Sequence, residues 1–147
     1  MIALVLLAAA APAGPLDLAS RVLVERRVAA RDGTVSIEQV PAKGAAPGDR
    51  LIVQLTDRNS GTQPLGDLLL GNPVPAGMAY RGPAAAGPEP EVSADGQRFA
   101  PLARLTVAGP AGARAATAAD VTHVRWRLTR PLQPGAGGSL SFRAIVK

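Results

Sequence analysis

The sequence predicts an all-β domain, an antiparallel sandwich of roughly seven to nine short strands, and three observations carry that prediction. Apolar residues recur at every second position in a series of short runs. Turn-forming residues, above all Pro-Gly-Asp, Asp-Gly and Asn-Ser-Gly, separate those runs at short intervals. After residue 11, no segment repeats apolar residues at the spacing of an amphipathic helix. Successive side chains of a strand point to opposite faces, so period-two runs bounded by breakers are the signature of half-buried strands. At 147 residues the chain has room for one domain of ordinary size.

Residues 1–11 are apolar throughout, and Ala11-Pro12-Ala13 follows with small residues at the two positions a signal peptidase reads. Such a run is too short to span a bilayer as a helix but fits the h-region of a secretory signal. The expected arrangement is a signal peptide over residues 1–13, a flexible lead-in over residues 14–20 and a single β-sandwich domain over residues 21–147. No Lys or Arg precedes the apolar run, so the terminal amine is its only positive flank.

Within residues 21–28, Val22, Val24 and Val28 share one face and Leu23, Glu25 and Arg27 the other. Arg31-Asp32-Gly33 closes a turn. Residues 34–40 alternate again through Val35 and Ile37, and residues 41–46 form a loop. Pro47-Gly48-Asp49 then launches the best-defined early strand, with Leu51, Val53 and Leu55 on one face and Gln54 and Thr56 on the other. Asn59-Ser60-Gly61 supplies residues that tolerate left-handed backbone and closes the next turn.

Leu68-Leu69-Leu70 is the following apolar run, punctuated by Asn72-Pro73 and Pro75-Ala76-Gly77. Residues 82–91 are rich in breakers and read as a long exposed connection. Residues 92–99 form a short hairpin turning on Asp95-Gly96, and residues 102–107 a further short strand. Residues 108–120 have almost no apolar bulk and read as loop or one weak helical turn.

The end of the chain is the most regular. Across residues 121–129, Val124, Trp126 and Leu128 face one way and His123, Arg125 and Arg127 the other. After a turn-rich stretch at residues 131–138, Leu140, Phe142, Ala144 and Val146 form an inward set, with Ser141, Arg143 and Lys147 outward. These read as two consecutive antiparallel strands with one wet face. Trp126 is the expected core anchor. The number and spacing of runs argue for a sandwich of immunoglobulin-like kind.

Two stretches together carry a family resemblance: Pro47-Gly48-Asp49, strand, Asn59-Ser60-Gly61, and then Asn72-Pro73-Val74-Pro75-Ala76-Gly77-Met78-Ala79-Tyr80. With Ser93-Ala94-Asp95-Gly96 and the closing Trp126, Pro134-Gly135 and Phe142 segments, residues 46–147 resemble the DUF11-type conserved repeat domain. Asn72 departs from the Asp usual in that family, and one copy stands where many relatives carry arrays. The resemblance implies an immunoglobulin-like domain of cell-envelope or extracellular bacterial proteins, serving as spacer, surface-layer part or adhesive module. It brings no shared catalytic residues.

Composition narrows the chemistry. Cysteine is absent, which removes thiol catalysis, thiolate metal sites and redox roles. The formal net charge is +5 and nearly all cations are Arg, with Lys only at Lys43 and Lys147. His123 is the sole histidine, so a His-rich metal site or an ordinary triad has little to draw on. A Ser/His/Asp set would need Ser60 or Ser93, and the nucleophile-elbow motif is missing. Glu89 and Glu91 stand among prolines, a poor frame for paired-carboxylate catalysis. Asp49, Asp57, Asp67 and Asp95 all fall in or near turns, where turn chemistry accounts for them without a calcium ion. Gly135-Ala136-Gly137-Gly138 lacks the Lys-Ser/Thr ending of a phosphate loop and reads as a turn.

Arg125 and Arg127 project from one strand, with Arg130 and Arg143 expected nearby across a hairpin. At 3 % aromatic residues the chain offers little for base or sugar stacking, Tyr80 being the one candidate for an exposed ring. The expected function is a non-enzymatic exported structural or protein-interaction module of the bacterial cell envelope, in the periplasm, at the cell surface or outside. It would act through sheet edges and loops. Its expected partners are protein components of the envelope. Neither a small-molecule substrate nor a cofactor is expected, nucleic acid is disfavoured, and membrane contact is confined to an uncleaved signal segment. The alternative is a small binding module for an anionic ligand (envelope polymer, lipid or nucleic acid) through Arg125, Arg127 and Arg143.

Overall fold

The Pro47-Gly48-Asp49 turn sets the start of the central strand. Gly48 takes φ 91°, a conformation that side-chain-bearing residues resist. Asp49 Oδ2 accepts the Ala46 N–H at 2.9 Å, and the Asp49 N–H donates to the Ala46 carbonyl at 3.0 Å. β3 (Arg50–Asn59) leaves this turn with Leu51, Val53 and Leu55 buried on its inner side. The structure, a computed structural model, describes residues 14–84 and 87–147. The expected signal segment, residues 1–13, lies outside the described residues.

Ahead of β3 run β1 (Leu16–Ala29) and β2 (Val35–Pro41); after it come β4 (Leu69–Pro73), β5 (Met78–Pro83) and β6 (Glu91–Ser93). A small pair, β7 (Thr106–Gly109) and β8 (Gly112–Ala115), precedes β9 (His123–Arg127) and β10 (Gly137–Val146). The strands form a five-stranded sheet in the order β2-β1-β3-β10-β5, a three-stranded sheet β4-β9-β6 and the separate β7-β8 hairpin. Every ladder is antiparallel. The only helical elements among the described residues are single 3₁₀ turns at Leu102–Arg104 and Ala118–Asp120. The all-β, antiparallel prediction holds.

The two larger sheets share one core. Leu51, Val53, Met78, Tyr80, Leu140 and Phe142 face it from one side, and Leu70, Val92, Val124 and Trp126 from the other. The Trp126 and Phe142 rings meet across the sheets at a centroid distance of 6.3 Å, and Tyr80 meets Phe142 at 5.8 Å. Offset and tilted aromatic contacts of this kind add to the area term of burial.

Four expectations need correction. Residues 16–20 are strand, since β1 starts at Leu16 and pairs with β3 from Leu16↔Asn59 through Val24↔Leu51. The lead-in shows a weak pattern because its inner side faces the polar end of β3, where Asp57 and Asn59 sit. Residues 102–107 split into a 3₁₀ turn and the start of β7, and residues 108–115 complete a hairpin that Ala- and Gly-rich composition concealed. Beside it, Arg114 grips Asp120 with Nη1 and Nη2 at 2.9 and 2.8 Å, and Asp120 also accepts the Thr117 N–H. β9 and β10 are not a hairpin; they lie in opposite sheets. Alternation defines which side chains go inward, and Val124, Trp126, Leu140 and Phe142 do, but it does not name the neighbouring strand.

Tyr80 is the fourth. It is buried rather than exposed, and its phenol is pushed up to about 12, first by burial and then by the charge of Glu89. As the sole tyrosine, it alone supplies tyrosinate absorbance in a spectrophotometric titration. The unfolded chain ionises near 10, so folding stability should fall as pH rises from 10 towards 12. Ionisation at the ordinary value in the folded protein would place the ring in water.

Candidate functional site

The arginines expected to act together are separated. Arg125 and Arg127 lie on the outer side of β9, in the three-stranded sheet, whereas Arg143 lies on the outer side of β10 in the five-stranded sheet. The core stands between them. Arg125 is also spoken for: its Nε donates to Glu91 Oε2 at 2.7 Å, and its guanidinium sits 4.2 Å from the centre of the Phe99 ring. This pair joins β6 to β9 at the register Glu91↔Arg125. Glu91 therefore has a structural partner, while Glu89 is exposed.

The Ser93, Asp95 and His123 group is a built turn. Ser93 Oγ donates to Asp95 Oδ1 at 2.9 Å and accepts the N–H groups of Asp95 and Gly96. Asp95 Oδ1 accepts the Gln97 and Arg98 N–H groups at 2.8 and 2.9 Å. Ser93 is fully buried, so its hydroxyl meets no solvent-borne substrate. His123 lies against Gly96, where a Cβ would come within 2.9 Å of its ring, and its Nδ1 shares a hydrogen with Thr122 Oγ1 at 2.8 Å. Neither side chain has the geometry of a nucleophile and its base.

The Asp95 carboxylate is held at about 2, against an ordinary 3.8, first by the Arg98 N–H, then by that of Gln97 and the Ser93 hydroxyl. Unfolding returns it to the ordinary value, so the unfolded state binds more protons between the two. The contribution of this turn is complete above 3.8 and is lost as pH falls through about 2. Asp95→Ala should flatten that part of a stability profile measured by urea melts; an unchanged profile would show that the turn is not formed.

The other acidic positions are dispersed. Asp49 and Asp57 sit at opposite ends of β3, and Asp67 lies between β3 and β4 with φ 51°. Among the described residues no three His, Cys, Asp or Glu side chains group to hold a metal ion. Gly135 has φ 77°, which a turn requires, and a Cβ on Gly137 would collide with the Asp57 carbonyl. Gly135 therefore serves the turn and Gly137 the close approach of β10 to β3.

What stands open is an edge. β3 pairs with β1 only as far as Val24, so residues 25–29 pair with β2 alone and the β1-β2 ribbon extends past the sheet. Its turn is the Asp32-Gly33 bend, where Gly33 has φ 84° and Asp32 Oδ1 accepts the Thr34 N–H at 2.9 Å. Among the described residues β2 has no strand on its far side. Bonds from Ala30 N to Thr34 O and from Ala42 N to Val22 O bracket the β1-β2 ladder. Antiparallel bonding alternates, so Ser36, Glu38 and Val40 bond to β1, and Val35, Ile37 and Gln39 aim their backbone groups outward. Val35 and Ile37 are 62 % and 63 % exposed. Pro41, at the end of the row, has no N–H to offer. The alternation of Val35 and Ile37 resembled that of a buried strand, and only the stopping point of β3 reveals the exposure.

No protein-family model, curated protein or solved structure matches the chain.

Proposed function

We propose that the chain is a non-enzymatic structural or protein-interaction module of the bacterial cell envelope, exported by its apolar leader and working through the free β2 edge. The observation that carries this reading is the outward row of backbone groups at Val35, Ile37 and Gln39 beside two exposed apolar side chains. Proteins ordinarily blunt such an edge with charge, proline or a covering element, because it templates pairing with another chain. Here only Glu38 and the terminal Pro41 do so. An extended partner segment would gain main-chain hydrogen bonds from the edge and contacts from the side chains. The immunoglobulin-like and DUF11-type kinship belongs to the same proposal, supported by the sandwich and by the order of its turns.

Two experiments test it. Fractionation of the native host followed by N-terminal sequencing should find a mature start at Gly14 in an envelope or secreted fraction. A photo-crosslinking residue at Gln39 should then capture a defined envelope protein that the same probe at Arg127, on the far sheet, does not. Equal capture from both positions would remove the edge as the working element.

A further inference from the structure

The charge of this molecule is unevenly placed. The outer positions of the five-stranded sheet carry Arg21 and Arg27 on β1, Arg50 and Arg58 on β3, Arg81 on β5 and Arg143 on β10. The carboxylates at outer positions of the same sheet are Asp17 and Glu25. Six arginines against two carboxylates leave a surplus of four there, in a chain whose whole surplus is five. None of the six forms an ion pair among the described residues; those pairs involve Arg98, Arg114 and Arg125.

The surplus is spread in two dimensions. Arg50 and Arg58 are eight residues apart on β3, about 27 Å along the strand, and the five strands cover about 19 Å across. A linear polyanion needs a track, and these positions do not line one. A nucleic-acid strand also needs rings to stack on, yet Tyr80, Trp126 and Phe142 are buried in the core and the half-buried Phe99 lies against Arg125 of the other sheet. The same side of the β1-β2 ladder supplies something else. Arg27 stands opposite Ile37 and Ala29 opposite Val35, so the two exposed apolar side chains share the face of the arginines. Dispersed cations with a few apolar side chains at a projecting tip suit a bilayer of anionic lipid.

We propose that the outer face of the five-stranded sheet docks on anionic phospholipid membrane, its arginines over the headgroups and Val35 and Ile37 at the level of the interface. This contact is made by the folded domain and not by residues 1–13. It is independent of edge pairing, because strand-edge backbone groups lie in the plane of the sheet whereas these side chains stand out of it.

The test is co-sedimentation of the full chain with vesicles of phosphatidylcholine alone and of equimolar phosphatidylcholine and phosphatidylglycerol, at low and high salt. The leader contributes equally to every variant, so the readout is the difference between vesicle types. The wild-type chain should prefer the anionic vesicles, and salt should weaken that preference. Arg21→Gln/Arg50→Gln/Arg143→Gln should lower it by roughly a hundredfold, at about fivefold per arginine. Arg104→Gln/Arg127→Gln should leave it unchanged, and Ile37→Ser should lower binding while retaining the salt dependence. Should the triple variant melt early, Arg58→Gln/Arg81→Gln addresses the same face at exposed positions. Equal partition onto both vesicle types, or arginine variants that bind as well as wild type, would overturn the proposal. Tight binding to heparin that Ile37→Ser leaves intact, with no preference for anionic vesicles, would instead make the face a polymer site.

Discussion

Replacing Asn59 with leucine is expected to destabilise the domain by roughly 3–5 kcal/mol. The side chain is fully buried and closes three bonds: Nδ2 donates to the Gln63 carbonyl at 2.8 Å and the Leu132 carbonyl at 2.9 Å, and Oδ1 accepts the Gly61 N–H at 2.9 Å. It thus ties the loop after β3 to the segment that leads into β10. Leucine has a similar shape but none of these atoms, so the Gln63 carbonyl and the Gly61 N–H lose their partner, while the Leu132 carbonyl keeps the Leu65 N–H at 3.0 Å. Unpaired buried polar groups cost more than a formed hydrogen bond contributes, which is why the loss should exceed that of a surface contact. Chemical denaturation of Asn59→Leu measures it directly. A loss under about 1 kcal/mol would mean that the loop relaxes and water replaces the amide.

Trp126→Ala should cost a similar amount, roughly 3–5 kcal/mol, because it removes the largest buried side chain and leaves a cavity. The more informative variant is the double one. Trp126 and Phe142 belong to different sheets and touch through their rings, so Trp126→Ala and Phe142→Ala should be non-additive by about 0.5–1.5 kcal/mol. Strict additivity in equilibrium melts would separate the rings and with them the two sheets.

Much of the inner architecture was legible in the sequence, for local reasons. Leu51, Val53 and Leu55 after a Pro-Gly-Asp turn, and Val124, Trp126, Leu140 and Phe142 near the end, announce their inward faces by period two alone. Tertiary pairing has no such local code. β9 and β10 are consecutive yet lie in different sheets, which sends Arg143 away from Arg125 and Arg127. Asn59 illustrates the same limit at one residue. Its sequence context reads as turn chemistry with left-handed backbone, but its φ is not positive, and its value lies in side-chain bonds to residues as distant as Leu132. Gly61 is small because a Cβ there would lie 2.6 Å from Pro15 Cβ, a contact between segments far apart in the chain. The edge at Val35 and Ile37 was hidden for the converse reason: the pattern is regular, and what is missing is the neighbour.

That edge is most directly tested by two prolines one residue apart. Ile37→Pro removes an N–H that points outward and bonds to nothing among the described residues, whereas Glu38→Pro removes one that bonds to β1. Both should be made in protein carrying the crosslinker at Gln39, with thermal melts recorded alongside capture. The free edge predicts that Ile37→Pro melts close to wild type and loses its crosslinked partner, while Glu38→Pro disrupts the ribbon itself. Undiminished capture by Ile37→Pro would show that the partner is held elsewhere, and the edge would no longer account for what this domain does.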